Sequence, residues 1–438
     1  MIFKPNTAQK VISTTFLKSR ILARPLSIVS FDNSQITVDL GHERPNHVSF
    51  QTIFLRDACG SPESIDISSR QKSFSTAQIA RNLQLAEDPI VVDSSEPTLH
   101  VAWKHNDGSV SESDYGLSEL RKYSSMKNRM AGKFFRDQQK FWNKSDLIKE
   151  MKSLNVDYHA YLSGDETFKK VVNSLNKFGI CFVNGIDDPT RNPQTQALTD
   201  ANTGLWPVSK LAKRFGYIKE TFYGTLFNVK IEADAKNIAN TDVFLPLHMD
   251  LCYYESPPGL QLLHFIQNST TGGENVFADS FLAAQHIRDS DPEAYDALKR
   301  VPITFHYDNN NEYYYYLRPL IVEDPYVRCP ETGNAQIKEV NYSPPFQGPF
   351  EYHVTRDDDP VLFDAFIRGM IAFEEYVNNA ANQYVVKIPE NTCVIFDNRR
   401  VLHSRLHFSA ADGGDRWLMG CYVDGDSFRS KLRTYNRD

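Results

Sequence analysis

Apolar and polar positions follow two rhythms along this chain. From Asp165, apolar residues recur at Phe168, Val171, Val172 and Leu175, the spacing of one helix face. The chain then enters Gly179-Ile180-Cys181-Phe182-Val183-Asn184-Gly185, an apolar run that predicts a buried strand. Two later helices are predicted, from about Phe281 to Leu298 and from about Pro360 to Asn379. The second carries Leu362, Phe363, Phe366, Met370, Phe373 and Val377 on its core face. Between and after them lie short runs bounded by turn residues. Val243 to Leu247 precedes the turn Pro257-Pro258-Gly259, and Leu260 to Phe265 follows it. Thr392 to Phe396 leads into the turn Asp397-Asn398, then Arg399 to His403, and a further strand is predicted over Trp417 to Val423. Alternation at Tyr384, Val386 and Ile388 marks another return to strand. Four consecutive tyrosines, Tyr313 to Tyr316, would alternate between strand faces, which favours a structural role over a stacking platform.

Near the N-terminus, Phe50 to Leu55 and Leu99 to Trp103 read as strands, punctuated by Ser, Pro and Asp. Residues 111–160 are charged, with helical stretches such as Leu117 to Met126. The predicted class is mainly β with flanking helices. A double-stranded β-helix, or jelly roll, is expected over 161–438, with an inner face able to hold a ligand. It is preceded by a small β-rich domain at 32–110 and a helical connection at 111–160.

Composition narrows the partners. A net charge of −7 with no concentrated basic patch argues against nucleic acid. Six cysteines lie far apart with no Cys-x-x-Cys, which suits a reduced intracellular compartment better than a disulfide framework. No apolar run reaches the ~18 residues that a membrane-spanning helix needs. Residues 1–31 carry Lys4, Lys10, Lys18, Arg20 and Arg24 but no acid. Such a segment is either a mitochondrial transit peptide or a plain basic N-terminus, so mitochondrial and cytoplasmic locations both stay open.

The most informative chemistry is the step His248-Met249-Asp250, with His403 far downstream and Arg416 beyond it. Two imidazoles and one carboxylate can occupy one face of an Fe(II) octahedron. Three positions then remain for a bidentate 2-oxo acid and dioxygen. On an extended strand, residues i and i+2 point the same way, so His248 and Asp250 would share a face. His-x-Asp alone occurs by chance in a chain with 12 His, and its flanking strands raise the odds of a metal site. Arg416 opens the last strand, where a guanidinium fork suits the far carboxylate of a 2-oxo diacid.

Residues His248 to Arg433 resemble the γ-butyrobetaine dioxygenase and trimethyllysine dioxygenase family. The matching stretches are His248-Met249-Asp250, Pro257 to His264, Thr271-Gly272-Gly273-Glu274-Asn275, Phe396 to His403, and Arg416 through Arg433. The resemblance implies an Fe(II)- and 2-oxoglutarate-dependent dioxygenase, with ascorbate as reductant and a homodimeric assembly. It places Fe(II) on His248, Asp250 and His403, and 2-oxoglutarate on Arg416 and Asn275, where relatives have Ser or Thr. Carried over by position, the family's aromatic cage for a trimethylammonium group falls on Tyr223, Phe227 and Tyr422. Asn240 stands where the family has a tyrosine, and Asn237 matches a residue that contacts the substrate carboxylate.

The implied reaction is hydroxylation of γ-butyrobetaine to carnitine. The alternatives are trimethyllysine hydroxylation, a diverged dioxygenase acting on another small amine or metabolite, and a catalytically silent metal-binding protein. The family's N-terminal zinc site begins Cys-x-Cys-x-x-Cys after a Leu-Arg-Asp step. Here Cys59 is followed by Ser61 and Ser64, and His105 is the candidate fourth ligand. One thiolate and one imidazole do not close a tetrahedral zinc site, so no structural zinc is expected.

Overall fold

The structure is a computed structural model that describes residues 26–41, 46–81, 83–230, 244–309, 311–329, 331–352, 355, 359–408 and 413–437. It divides into two compact units at Arg129/Met130.

The first unit holds two antiparallel sheets. Ser27–Phe31, Gln35–Asp39 and His47–Gln51 form one, and Thr98–Lys104 pairs with three neighbours in the other. One of those neighbours is Val110–Gly116. Ile36, Val38, Leu99, Val101, Trp103 and Tyr115 fill the core, and the buried indole of Trp103 donates to Ser113 Oγ (2.8 Å). The expected strand Phe50 to Leu55 is split. Phe50 pairs with Ile36, but the chain turns into the helix Thr52–Asp57, which buries Leu55 on a helical face. Cys59 Sγ lies 3.3 Å from Ser61 Oγ, Ser61 donates to Ser64, and Arg56 donates to Ser64 as well. The three positions of the family's ligand motif thus meet as one thiol and two hydroxyls beside a guanidinium.

The second unit is built on two larger sheets. The seven-stranded one runs Ile218–Lys219, Arg416–Val423, Leu260–Asn268, Thr392–Asp397, Ile180–Asn184, Asn155–Asp157, with Phe227–Val229 also paired to Arg416–Val423. The four-stranded one runs Leu245–His248, Val401–Arg405, Asn275–Asp279, Tyr384–Val386. Leu263, Phe265, Val394, Phe396 and Leu418 of the first sheet share a core with Phe277 and Val401 of the second. The rings of Phe277 and Phe396 meet edge to face at 5.7 Å.

Helices cover the outside. Asp165–Phe178 buries Phe168, Val171, Val172 and Leu175, the face its spacing predicts. The helix expected from Phe281 to Leu298 is two helices, Ser280–Ser290 and Pro292–Arg300. The break has a local cause. Asp291 caps the second helix through Ala294 N–H, and Pro292 takes its first position, where the missing N–H costs nothing. Pro360–Asn378 buries Phe366, Phe373 and Val377, while Leu362, Phe363 and Met370 pack half-buried beside them. Of the four tyrosines, Tyr313 and Tyr315 are exposed, whereas Tyr314 turns inward and stacks on Phe222 and Tyr254. All six cysteines are free thiols, and no described helix is long and apolar enough to cross a membrane.

Candidate metal centre

His248 and His403 stand directly opposite each other on neighbouring antiparallel strands, their ring centroids 4.1 Å apart. Asp250 is not on a strand. The strand ends at His248, and the chain turns through Asp250 into Leu251, whose φ is 58°. The common face expected from i, i+2 spacing is therefore made by a turn. Asn398, in the turn before the His403 strand, clips it: its side-chain oxygen accepts from Asp250 N–H (2.9 Å) and its amide donates to Asp250 O (3.0 Å). Asp250 Oδ1 then lies 3.3 Å from His248 Nε2 and 3.8 Å from His403 Nε2. Among the described residues, these three are the only group of three or more His, Cys, Asp or Glu side chains placed to hold an ion.

The protonation states fit a metal. Burial pushes the Asp250 carboxyl up, but His403, His248 and the Tyr422 hydroxyl outweigh it and hold it well below the usual carboxylate range. Burial, aided by His248, lowers His403 to about 3, so it is a neutral imidazole at neutral pH. His248 Nδ1 sits 2.8 Å from Pro246 O, which leaves Nε2 to face Asp250. A carboxylate and neutral imidazoles are the forms that divalent metals bind.

The triad lines a cavity of about 430 Å³, shared with Arg416, Asn275, Tyr223, Phe227 and Tyr422. Arg416 is buried, and its Nε has no hydrogen-bond partner. Burial first, and the Arg405 charge second, push its pKa down to about 9. The guanidiniums of Arg405 and Arg416 both lie over the Phe408 ring, at 5.0 and 5.4 Å. Phe408 packs against Gly273, which needs its left-handed φ of 70°. Lys387 holds this Gly-Gly loop by donating to Thr270 O and Gly272 O. Asn275 is buried on a central strand, its side-chain oxygen without a partner.

The three aromatic positions come together but not as an open cage. Phe227 stacks on Tyr422 (centroids 5.0 Å apart, 29° between planes), and Tyr223 tilts against Phe227 at 6.1 Å. The rings of Phe227 and Tyr422 occupy the space between them. Tyr422 also donates its hydroxyl to Asp250 Oδ2 (2.7 Å). Asn237 and Asn240 lie outside the described residues.

Several lining residues escape a reading of the sequence: Arg405, Gln261, Phe222, Tyr253 and Phe346. Arg405 had a signal, since it sits two residues after His403 on one strand and so shares its face. Gln261 stands among apolar neighbours on a buried strand, and its side-chain oxygen is unpartnered in the cavity. The others come from separate turns and hairpins, which only the fold brings together.

The profile of the family described as "Taurine catabolism dioxygenase TauD, TfdA family" matches residues 144–422. "Dioxygenase str8" of Strobilurus tenacellus is 31% identical over 405 residues, covering 91% of this chain and 87% of that protein. "Probable oxidoreductase AIM17" of Saccharomyces cerevisiae is 33% identical over 444 residues, covering 92% and 88%. "Gamma-butyrobetaine dioxygenase" of Pseudomonas sp. (strain AK-1) is 29% identical over 393 residues, covering 89% and 91%. Of these three, the two with the higher identities bear names that state no substrate. With its His-Asp-His cluster in a buried cavity, the chain belongs to the TauD/TfdA dioxygenase family.

Proposed function

We infer that the protein is an Fe(II)- and 2-oxoglutarate-dependent hydroxylase acting on a small substrate, γ-butyrobetaine first, to give carnitine. One observation carries the reaction class: a triad of two imidazoles and a carboxylate shares a cavity with a buried arginine whose Nε lacks a partner. His248, Asp250 and His403 would hold the metal, which when bound supplies activation of dioxygen at the expense of the 2-oxo acid. Arg416 would grip the distal carboxylate of that acid through a charge-assisted fork, with Asn275 at its side. The aromatic walls exclude water and position the carbon to be hydroxylated. The two larger sheets fit a double-stranded β-helix with the site between its leaves.

The Phe227–Tyr422 stack favours a second reading. A trimethylammonium group needs ring faces turned toward it, and each of these rings spends one face on the other. A diverged dioxygenase taking a different small metabolite fits that wall, and the substrate-free names of two relatives agree.

One assay separates the readings. Purified protein with Fe(II), ascorbate and 2-oxoglutarate is offered γ-butyrobetaine, trimethyllysine or no substrate, and succinate and hydroxylated product are measured. Carnitine with coupled succinate is the expected outcome. Product from neither amine, with 2-oxoglutarate still bound, moves the conclusion to the second reading. Absence of 2-oxoglutarate binding removes the oxygenase altogether.

A further inference from the structure

Asp250 has a freedom that the two histidines lack. His248 and His403 are fixed by paired strands, whereas Asp250 lies in a turn, where no pleat dictates which way its carboxylate rotates. A carboxylate can offer a metal one oxygen or both. With two imidazoles already bound, a second oxygen would take one of the three positions that a 2-oxo acid and dioxygen need. Asn398 fixes the backbone of the turn, but something must also fix the side chain.

We propose that Tyr422 is the positioning residue that holds Asp250 as a one-oxygen ligand and so keeps the remaining metal positions open. Its hydroxyl donates to Oδ2 at 2.7 Å, while Oδ1 lies 3.3 Å from His248 Nε2 and 3.8 Å from His403 Nε2. Oδ2 is thereby engaged by the hydroxyl, and Oδ1 would be the oxygen left to hold the metal. Tyr422 is well placed for this task. It is buried in the middle of a sheet, flanked in register by Gln261 and Lys219. Its ring is clamped by Phe227, which in turn sits on Gly420, where an added Cβ would fall 2.3 Å from Phe227 Cζ. A ring whose hydroxyl is committed to a ligand and whose face is committed to Phe227 serves the metal before it serves a substrate.

The proposal rests on the triad being a metal site, and the test keeps the two apart. Fe(II) binding to metal-free protein is measured anaerobically by chelator competition for the wild type, Tyr422→Phe and Tyr313→Phe, at a temperature where circular dichroism shows each folded. Tyr422→Phe keeps the ring and its stack and loses only the hydroxyl. It is expected to bind Fe(II) about 10- to 100-fold more weakly, the usual effect of losing a partner that orients a ligand. At saturating Fe(II), its 2-oxoglutarate charge-transfer absorption is expected to weaken as well. Tyr313→Phe removes an exposed hydroxyl outside the cavity, and its Fe(II) affinity is expected to match the wild type. Unchanged Fe(II) affinity and absorption in Tyr422→Phe overturns the positioning role. Failure of the wild type to bind Fe(II) overturns the metal reading beneath it.

Discussion

Arg416 is a cation kept out of water next to another cation. Burial and Arg405 both act against its charge, yet a guanidinium does not give up its proton near neutrality. The site is therefore short of negative charge, and a carboxylate arriving there relieves the deficit. Arg416→Lys keeps the charge but loses the planar fork. Losing one charge-assisted hydrogen bond, worth about 1.5–3 kcal/mol, raises the KM for 2-oxoglutarate roughly ten- to hundredfold. Fe(II) affinity is expected to hold, and steady-state kinetics at varied 2-oxoglutarate checks the split. An unchanged KM removes Arg416 from the cosubstrate site. The His-Asp-His cluster was readable from the sequence because His-x-Asp and His403 are flanked by apolar runs. The geometry that joins them was not: Asp250 converges on the histidines through a turn held by Asn398, a contact spanning 148 positions of sequence.

At the scale of elements, one strand carries much of the site. Along Arg416–Val423, Arg416, Leu418, Gly420 and Tyr422 share a face by simple alternation, and the three with side chains line the cavity. Gly420 is the seat for Phe227. Gly420→Ala forces that ring away, an overpacking cost of about 1–3 kcal/mol. A lower urea midpoint with an unchanged m-value is the expected result, and a midpoint equal to wild type shows that Phe227 yields freely. Strands and helices of this unit were legible because their periods of two and 3.6 are clean, as at Asp165–Phe178. The two places where the rhythm misled, Phe50 to Leu55 and Phe281 to Leu298, are places where it continues through a change of element. In the second, Asp291-Pro292 carried the signal that the apolar spacing hid.

At the scale of the whole molecule, acid sensitivity is written into the core. His264 is fully buried on the central strand, neither ring nitrogen has a partner, and burial lowers its pKa to about 3. The unfolded chain takes up a proton there below about 6.5, and the folded chain refuses it until about 3. Stability from this residue is thus intact above about pH 6.5 and drains away as pH falls toward 3. Between pH 7 and 5 the loss amounts to about 2 kcal/mol. His264→Leu is expected to flatten the fall by that amount in urea titrations at the two pH values, and parallel curves for both proteins refute it. The same two-sheet architecture has another consequence. The triad histidines belong to one sheet and Arg416 to the other, so no run of backbone sets the span between triad and arginine. The side chains packed between the leaves, Phe277 against Phe396 among them, set it as spacers. Under the proposed reaction, the length of 2-oxo diacid that the site accepts would be gauged by the thickness of the hydrophobic core.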